Sequence, residues 1–249
     1  MRASPQDYFR RQGLKPLNWD EVLKVVESRL ASPNLPVFQR LHRSFVGYPV
    51  EHTCRAFYDF CVSHGLSDLL ASFRFERLCR IGACLSGLVL RERNILDIGA
   101  GGGYLAGYLK EELGANVSVA DWSAESRKHL QTAGFETFAT ELDPGLSGKQ
   151  FDFILAADSL GEVNADEDSW LREPENATDP GYPDELEQRY GFTDKLAAWK
   201  SFLRPGGSVL LFEPIGLPMF WQGAALSLRQ SGWKADIIGP EPVWGLLLY

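Results

Sequence analysis

An apolar run from Asn94 to Ile98 carries Asp97 near its end and leads into Gly99-Ala100-Gly101-Gly102-Gly103-Tyr104. Where an apolar strand breaks into glycines and then opens a helix, the backbone itself approaches a ligand, because side chains there would hold a nucleotide-like molecule away. The spacing is Asp-x-Gly-x-Gly-x-Gly. A dinucleotide fingerprint asks for glycine at position 104, which Tyr104 occupies, so a nicotinamide oxidoreductase is disfavoured. Other acids follow later apolar runs: Asp121 after Ala120, Glu141 and Asp143 on either side of Leu142, and Asp158 and Glu162 in the stretch from Ala157 to Glu162. A carboxylate in such a turn accepts hydrogen bonds from hydroxyls or takes a proton. Capping of the next helix and solvated loop charge are competing roles for Asp158 and Glu162. His42, His52, His64 and His129 fall in helical patterns, where surface or core positions account for them.

The elements that must hold these residues change character near Arg93. Before it the pattern is helical, with Asn18 as N-cap ahead of Val22, Val25, Val26 and Leu30, a second helix over Val37 to Phe45, and a turn at Gly47-Tyr48-Pro49. Ala56, Phe57, Phe60 and Cys61 recur at helical spacing until Gly65. Residues Ser67 to Leu90 suit one long helix or two joined near Gly82. After Arg93, short apolar runs alternate with amphipathic helices, the sign of a parallel sheet covered on both faces. Strands are expected at Asn94–Ile98, Asn116–Ala120, Phe135–Phe138 and Phe151–Ala156. Leu196, Trp199 and Leu203 form a helical stripe, Arg204-Pro205-Gly206-Gly207 turns the chain, and Ser208 to Glu213 makes a fifth strand. A helix over Phe220 to Ser231 precedes two runs, Lys234–Ile238 and Val243–Tyr249, that read as a terminal antiparallel hairpin. The expected organisation is an N-terminal helical region, 1–92, serving as a cap, substrate or oligomerisation region, and a doubly wound α/β domain, 93–249, with an acidic insertion at about 162–190.

The chain of 249 residues is 45% hydrophobic and 23% charged, a globular composition able to bury a sizeable core. Its net charge of −8 is concentrated: ten acids against Arg172 between Glu162 and Glu187 leave the remainder close to neutral. No broad basic nucleic-acid surface is evident, and that long acidic segment reads equally as a lid or as a solvated insertion. The N-terminus lacks a secretory apolar run and no stretch reaches membrane-spanning length, so a cytoplasmic, membrane-free protein is expected. Cys54, Cys61, Cys79 and Cys84 show no metal spacing and read as buried free thiols.

In its motifs the chain resembles the class I S-adenosylmethionine-dependent methyltransferases. The resemblance rests on Asp97-x-Gly99-x-Gly101-x-Gly103, on Asp121 at the end of the second strand, on Phe151 to Glu162, and on Leu203-Arg204-Pro205-Gly206-Gly207, in that order. It implies a Rossmann-like, mostly parallel sheet and S-adenosylmethionine as cofactor, with S-adenosylhomocysteine as product. It further implies that Asp97 orients the cofactor's amino-acid part and that Gly99, Ala100, Gly101 and Gly103 line it. By the same resemblance Asp121 takes the ribose hydroxyls, Trp122 packs on the adenine, one of Glu141, Leu142 and Asp143 meets the adenine edge, and Ala157 belongs to the turn facing the methyl group. Asp158 or Glu162 is then the candidate base for an acceptor that must lose a proton. The expected acceptor is a small or medium-sized molecule, with the N-terminal helices as a candidate homodimer surface. A cofactor-binding but catalytically silent binding or assembly protein is the alternative.

Overall fold

The computed structural model describes residues 2–47, 51–140, 143–159, 192–212, 222, 224–226, 228–229, 232–239 and 245–249. The acidic segment around 162–187, Glu141, Leu142, Glu162, residues 48–49 of the turn expected from Gly47, and residues 240–242 between the two runs of the expected hairpin lie outside them.

Among the described residues six helices come first: α1 (Pro5–Arg11), α2 (Trp19–Arg29), α3 (Leu35–Gly47), α4 (Glu51–Ser63), α5 (Ser67–Phe73) and α6 (Phe75–Ser86). Their ends follow from local chemistry. Ser4 accepts from the Asp7 N–H with Pro5 in the first turn of α1, and Asn18 and Glu21 form a reciprocal capping box on α2. Gly65, at φ +68°, takes the left-handed turn after α4. The join expected near Gly82 lies instead at Arg74, and α6 runs through Gly82 unbroken. Gly82 lacks a side chain because α1 docks there: a Cβ on it would stand 2.9 Å from that of Pro5.

The second part alternates β1 (Asn94–Ile98), α7 (Tyr104–Glu111), β2 (Asn116–Ala120), α8 (Ala124–Thr132), β3 (Glu136–Phe138), β4 (Phe151–Ala157), α9 (Phe192–Lys200), β5 (Leu203–Phe212), β6 (Ala235–Ile238) and β7 (Gly245–Leu248). One sheet holds the seven described strands in the order β3-β2-β1-β4-β5-β7-β6. The first five are parallel, and β7 pairs antiparallel with both β5 and β6, which is the expected terminal hairpin. The described residues between 222 and 229 are helical, with Ala224, Ala225 and Leu228 buried.

Two expectations near β5 differ. Leu203 belongs to the strand rather than to the helical stripe, pairing with Phe151. The residues expected to turn the chain lie inside the strand as an irregularity, pairing resuming at Phe153 and Ser208. Gly206 at φ +79° supplies the extra bend. Gly207 passes so close to the Phe151 and Asp152 carbonyls that a Cβ would lie 3.1 Å from each.

Alternate residues of the central strands feed opposite cores, as the near-continuous apolar runs require. Ile95, Leu155 and Leu210 pack with Tyr8, Phe9, Phe75, Ile81 and Leu85 of α1 and α6 and with α7. Leu96, Ile154 and Val209 pack on the other face with Leu196 and Trp199 of α9. Helices α2 to α5 keep a cluster of their own around Val22, Phe38, Phe57 and Leu69.

Candidate functional site

The chain order reverses between β1 and β4, neighbours in the sheet whose connections leave in opposite directions, so their carboxyl ends open a crevice. The glycine turn after β1 forms one wall. Gly99, Gly101 and Gly103 all have positive φ, at 73°, 54° and 75°, a conformation that L side chains rarely adopt. The Gly99 N–H ties the turn to β2 by donating to the Ala120 carbonyl at 2.7 Å, and the Gly103 N–H closes the turn on itself by donating to the Ala100 carbonyl at 2.8 Å.

Asp121 fastens this wall from the second strand. Its Oδ2 accepts from the Gly101 N–H and its Oδ1 from the Ser123 N–H, both at 2.8 Å. Burial raises its pKa, and those two N–H groups oppose the rise. Asp97 is only 2% exposed, and among the described residues nothing donates a hydrogen bond to its side chain. Burial, then the neighbouring Asp121 carboxyl, push its pKa up to about 8. Trp122 is half-buried, with the Arg55 guanidinium 5.6 Å from its ring centre.

The other wall is the turn after β4. Asp158 has φ 55°, and its N–H donates to the Phe212 carbonyl at 2.7 Å. Its carboxylate is engaged: Arg74 Nη1 donates to Oδ2 at 2.8 Å, and Arg77 Nε to Oδ1 at 2.9 Å and Oδ2 at 3.2 Å. Arg74 also donates to the buried Tyr58 hydroxyl. Ser159, next in the chain, sits on the glycine turn so closely that a Cβ on Gly99 would come within 2.5 Å of its own.

Asp97, Gly99, Ala100, Gly101, Gly103, Asp121, Trp122, Ala157 and Asp158 are thus gathered at the carboxyl ends of β1, β2 and β4. Glu141, Leu142 and Glu162 lie outside the described residues. Asp143, beside the first two, spends its carboxylate on the Ala139 and Gly145 N–H groups of its own turn, at 2.7 and 2.8 Å. The sequence reading expects the N-terminal region as a cap but names none of the residues through which it reaches the site. Asp59 of α4 accepts from the Ser123 hydroxyl at 2.9 Å, and Arg74 and Arg77 reach the turn after β4. The one local signal was the three-residue spacing of those arginines, which places both on one side of a helix. Of the histidines, His42 stacks on Trp19 at 4.3 Å and His64 on Phe60 at 4.0 Å, both within the N-terminal helices.

The sequence profile of the methyltransferase-domain family matches residues 70–214, well over half of the chain. The chain belongs to the class I methyltransferase family. It is an S-adenosylmethionine-dependent methyltransferase. No curated protein matches the sequence. Among solved structures, the methyltransferase is similar to the protein of a DhpI-SAM-HEP complex at 15% identity and a TM-score of 0.54, over 81% of this chain and 97% of that one. That likeness supports the fold. A ribosomal protein L11 methylase from Lactobacillus delbrueckii subsp. bulgaricus matches at 17% identity and TM-score 0.47, over 70% of this chain and 78% of that one. A SAM-dependent methyltransferase from Bacteroides fragilis, in complex with S-adenosyl-L-homocysteine, matches at 18% and 0.43, over 67% and 76%. No described helix of the methyltransferase is long and apolar enough to cross a membrane.

Proposed function

We propose that the methyltransferase holds its cofactor across the carboxyl ends of β1, β2 and β4 and passes the methyl group in line to a small or medium-sized acceptor. The observation that carries this reading is the glycine turn flanked by two buried carboxyl groups, one of them without a donor among the described residues. Such an acid suits a cationic ligand, because a positive charge supplies the partner that the protein withholds. S-adenosylmethionine brings a methyl on a positively charged sulfur, so the chain has chiefly to orient an acceptor and exclude water.

The residues divide that work. Gly99, Ala100, Gly101 and Gly103 let the backbone approach the cofactor, and Asp97 faces its ammonium group. Each Asp121 oxygen has one lone pair taken by an N–H and a second left for a ribose hydroxyl. Trp122 offers a ring face to the adenine. Asp158, with both oxygens on guanidinium groups, is assigned to positioning rather than to proton transfer. The acceptor's size is inferred from the roof: α4 is tied to the turn after β2 through Asp59 and Ser123, and Arg74 and Arg77 tie the α5–α6 region to the turn after β4. This restricts what reaches the crevice.

Calorimetric titration with S-adenosylmethionine, S-adenosylhomocysteine and NADH tests the reading. Binding of the first two without the third supports it and justifies a screen of small acceptors. Binding of NADH alone overturns it.

A further inference from the structure

Asp158 is one of two described non-glycine residues with positive φ, and it stands where the turn after β4 meets the glycine turn. An L-residue held left-handed is uphill, although Asp tolerates it better than most, and it persists only where its surroundings over-determine it. Those surroundings are the Phe212 carbonyl on its N–H and two guanidinium groups on its carboxylate. The side chains concerned are 13% exposed for Asp158, 17% for Arg77 and 29% for Arg74, so solvent competes weakly for the contacts. The same peptide carries Ser159 onto Gly99, with no room for an added methyl group.

We propose that Arg77, with Arg74, is a positioning residue of the methyltransferase. By holding the Asp158 carboxylate, the pair keeps that residue's backbone left-handed and Ser159 packed on Gly99, which sets the shape of the cofactor crevice from outside it. Neither arginine needs to touch the cofactor. The inference rests on the cofactor reading above, and it makes a distinction that reading does not: what the crevice needs from residue 158 is its backbone conformation.

Glycine separates conformation from carboxylate, since it adopts positive φ freely and has nothing to clamp. The experiment titrates the full chain with S-adenosylmethionine, with a melting curve for each variant. Arg77→Met and Asp158→Ala each weaken binding by about tenfold, the scale of one strained residue released. Asp158→Gly recovers most of that loss, and Arg77→Met adds nothing further in the Asp158→Gly background. Arg77→Lys falls between, because an ammonium group cannot reproduce a guanidinium fork. A merely structural tie lowers the melting temperature without separating glycine from alanine in affinity. Binding by Asp158→Gly as weak as by Asp158→Ala overturns the proposal, as does unchanged affinity in folded Arg77→Met. Should Arg77→Met fail to fold, the alanine–glycine comparison at position 158 decides. If the wild-type chain does not bind S-adenosylmethionine, the cofactor reading falls and this inference with it, whereas normal wild-type binding with indifferent variants sinks the clamp alone.

Discussion

Asp97 ends a strand in a setting that disfavours its charge: it is buried, Asp121 lies nearby, and its pKa is pushed up to about 8. At neutral pH the free protein therefore keeps this group largely protonated. An ammonium group beside it favours the carboxylate, so below about pH 8 binding must release the proton, and affinity climbs as pH rises by up to about tenfold per unit. Titrations in buffers of different ionisation enthalpy will show close to one proton released per cofactor at about pH 6, falling to about half at about pH 8, and Asp97→Asn will flatten the profile. A flat wild-type profile would remove Asp97 from the cofactor's cationic end. The linkage to stability has the same origin. The folded-state pKa is raised above that of the unfolded chain, near 3.8, so the unliganded protein loses stability as pH rises from about 4 to about 8. Asp121 differs because its oxygens already serve two N–H groups. Hydrogen bonds to charged groups contribute about 1.5–3 kcal/mol each, and Asp121→Ala removes both along with the ribose acceptor, so cofactor affinity should drop by at least about tenfold. Unchanged affinity in a folded Asp121→Ala variant would mean that the ribose is held elsewhere.

Helix α1 shows what an element gains from partners that local patterns do not reveal. It lies across α6 and α7 where each carries a glycine: Pro5 against Gly82, and the Tyr8 hydroxyl against Gly107. Glu112 at the end of α7 holds it there, accepting from the Ala3 N–H at 2.8 Å and pairing with Arg11. Gly107→Ala gains about 1 kcal/mol of helix propensity but drives a methyl into Tyr8 in a full core, an overpacking cost of about 1–3 kcal/mol, so the variant should melt lower. Adding Tyr8→Phe removes the clashing hydroxyl and should restore most of the loss. A double variant no more stable than Gly107→Ala would show that the contact is not what Gly107 accommodates. The same glycines mark the limit of reading elements from sequence. Strands β1, β2 and β4 were legible because an apolar run bounded by turn residues is a local signal, and the caps at Asn18 and Gly65 were legible for the same reason. Gly82 offers a joint as one of two readings of Ser67 to Leu90, since a glycine admitting a distant helix looks the same as one ending its own. Asp97 and Asp121 were legible by their place at the carboxyl ends of strands. Arg77 was not, because 81 residues separate it from Asp158 and no periodicity links them.

The two regions of the whole chain share more than a linker. The sheet starts at Asn94, just past the boundary expected at 92/93, yet one of its faces is covered from the other side of that boundary: Tyr8, Phe9, Phe75, Ile81 and Leu85 pack on Ile95, Leu155, Leu210 and Phe212. A unit that folds alone needs its own closed core, and residues 93–249 by themselves would turn that apolar face to water. The crevice depends on the same neighbours, since Asp59, Arg74 and Arg77 all precede residue 93 while the groups they hold, Ser123 and Asp158, follow it. Helices α2 to α5 differ, having a cluster of their own around Val22, Phe38, Phe57 and Leu69 that involves no strand. Residues 93–249 expressed alone should therefore bind a hydrophobic dye, lack a cooperative melting transition and lose cofactor binding. Supplying residues 1–92 in trans should reverse all three in part, because the missing contacts are noncovalent. A cooperative transition with wild-type cofactor affinity in residues 93–249 alone would sink this view, leaving the N-terminal helices as an appendage that governs only what reaches the crevice.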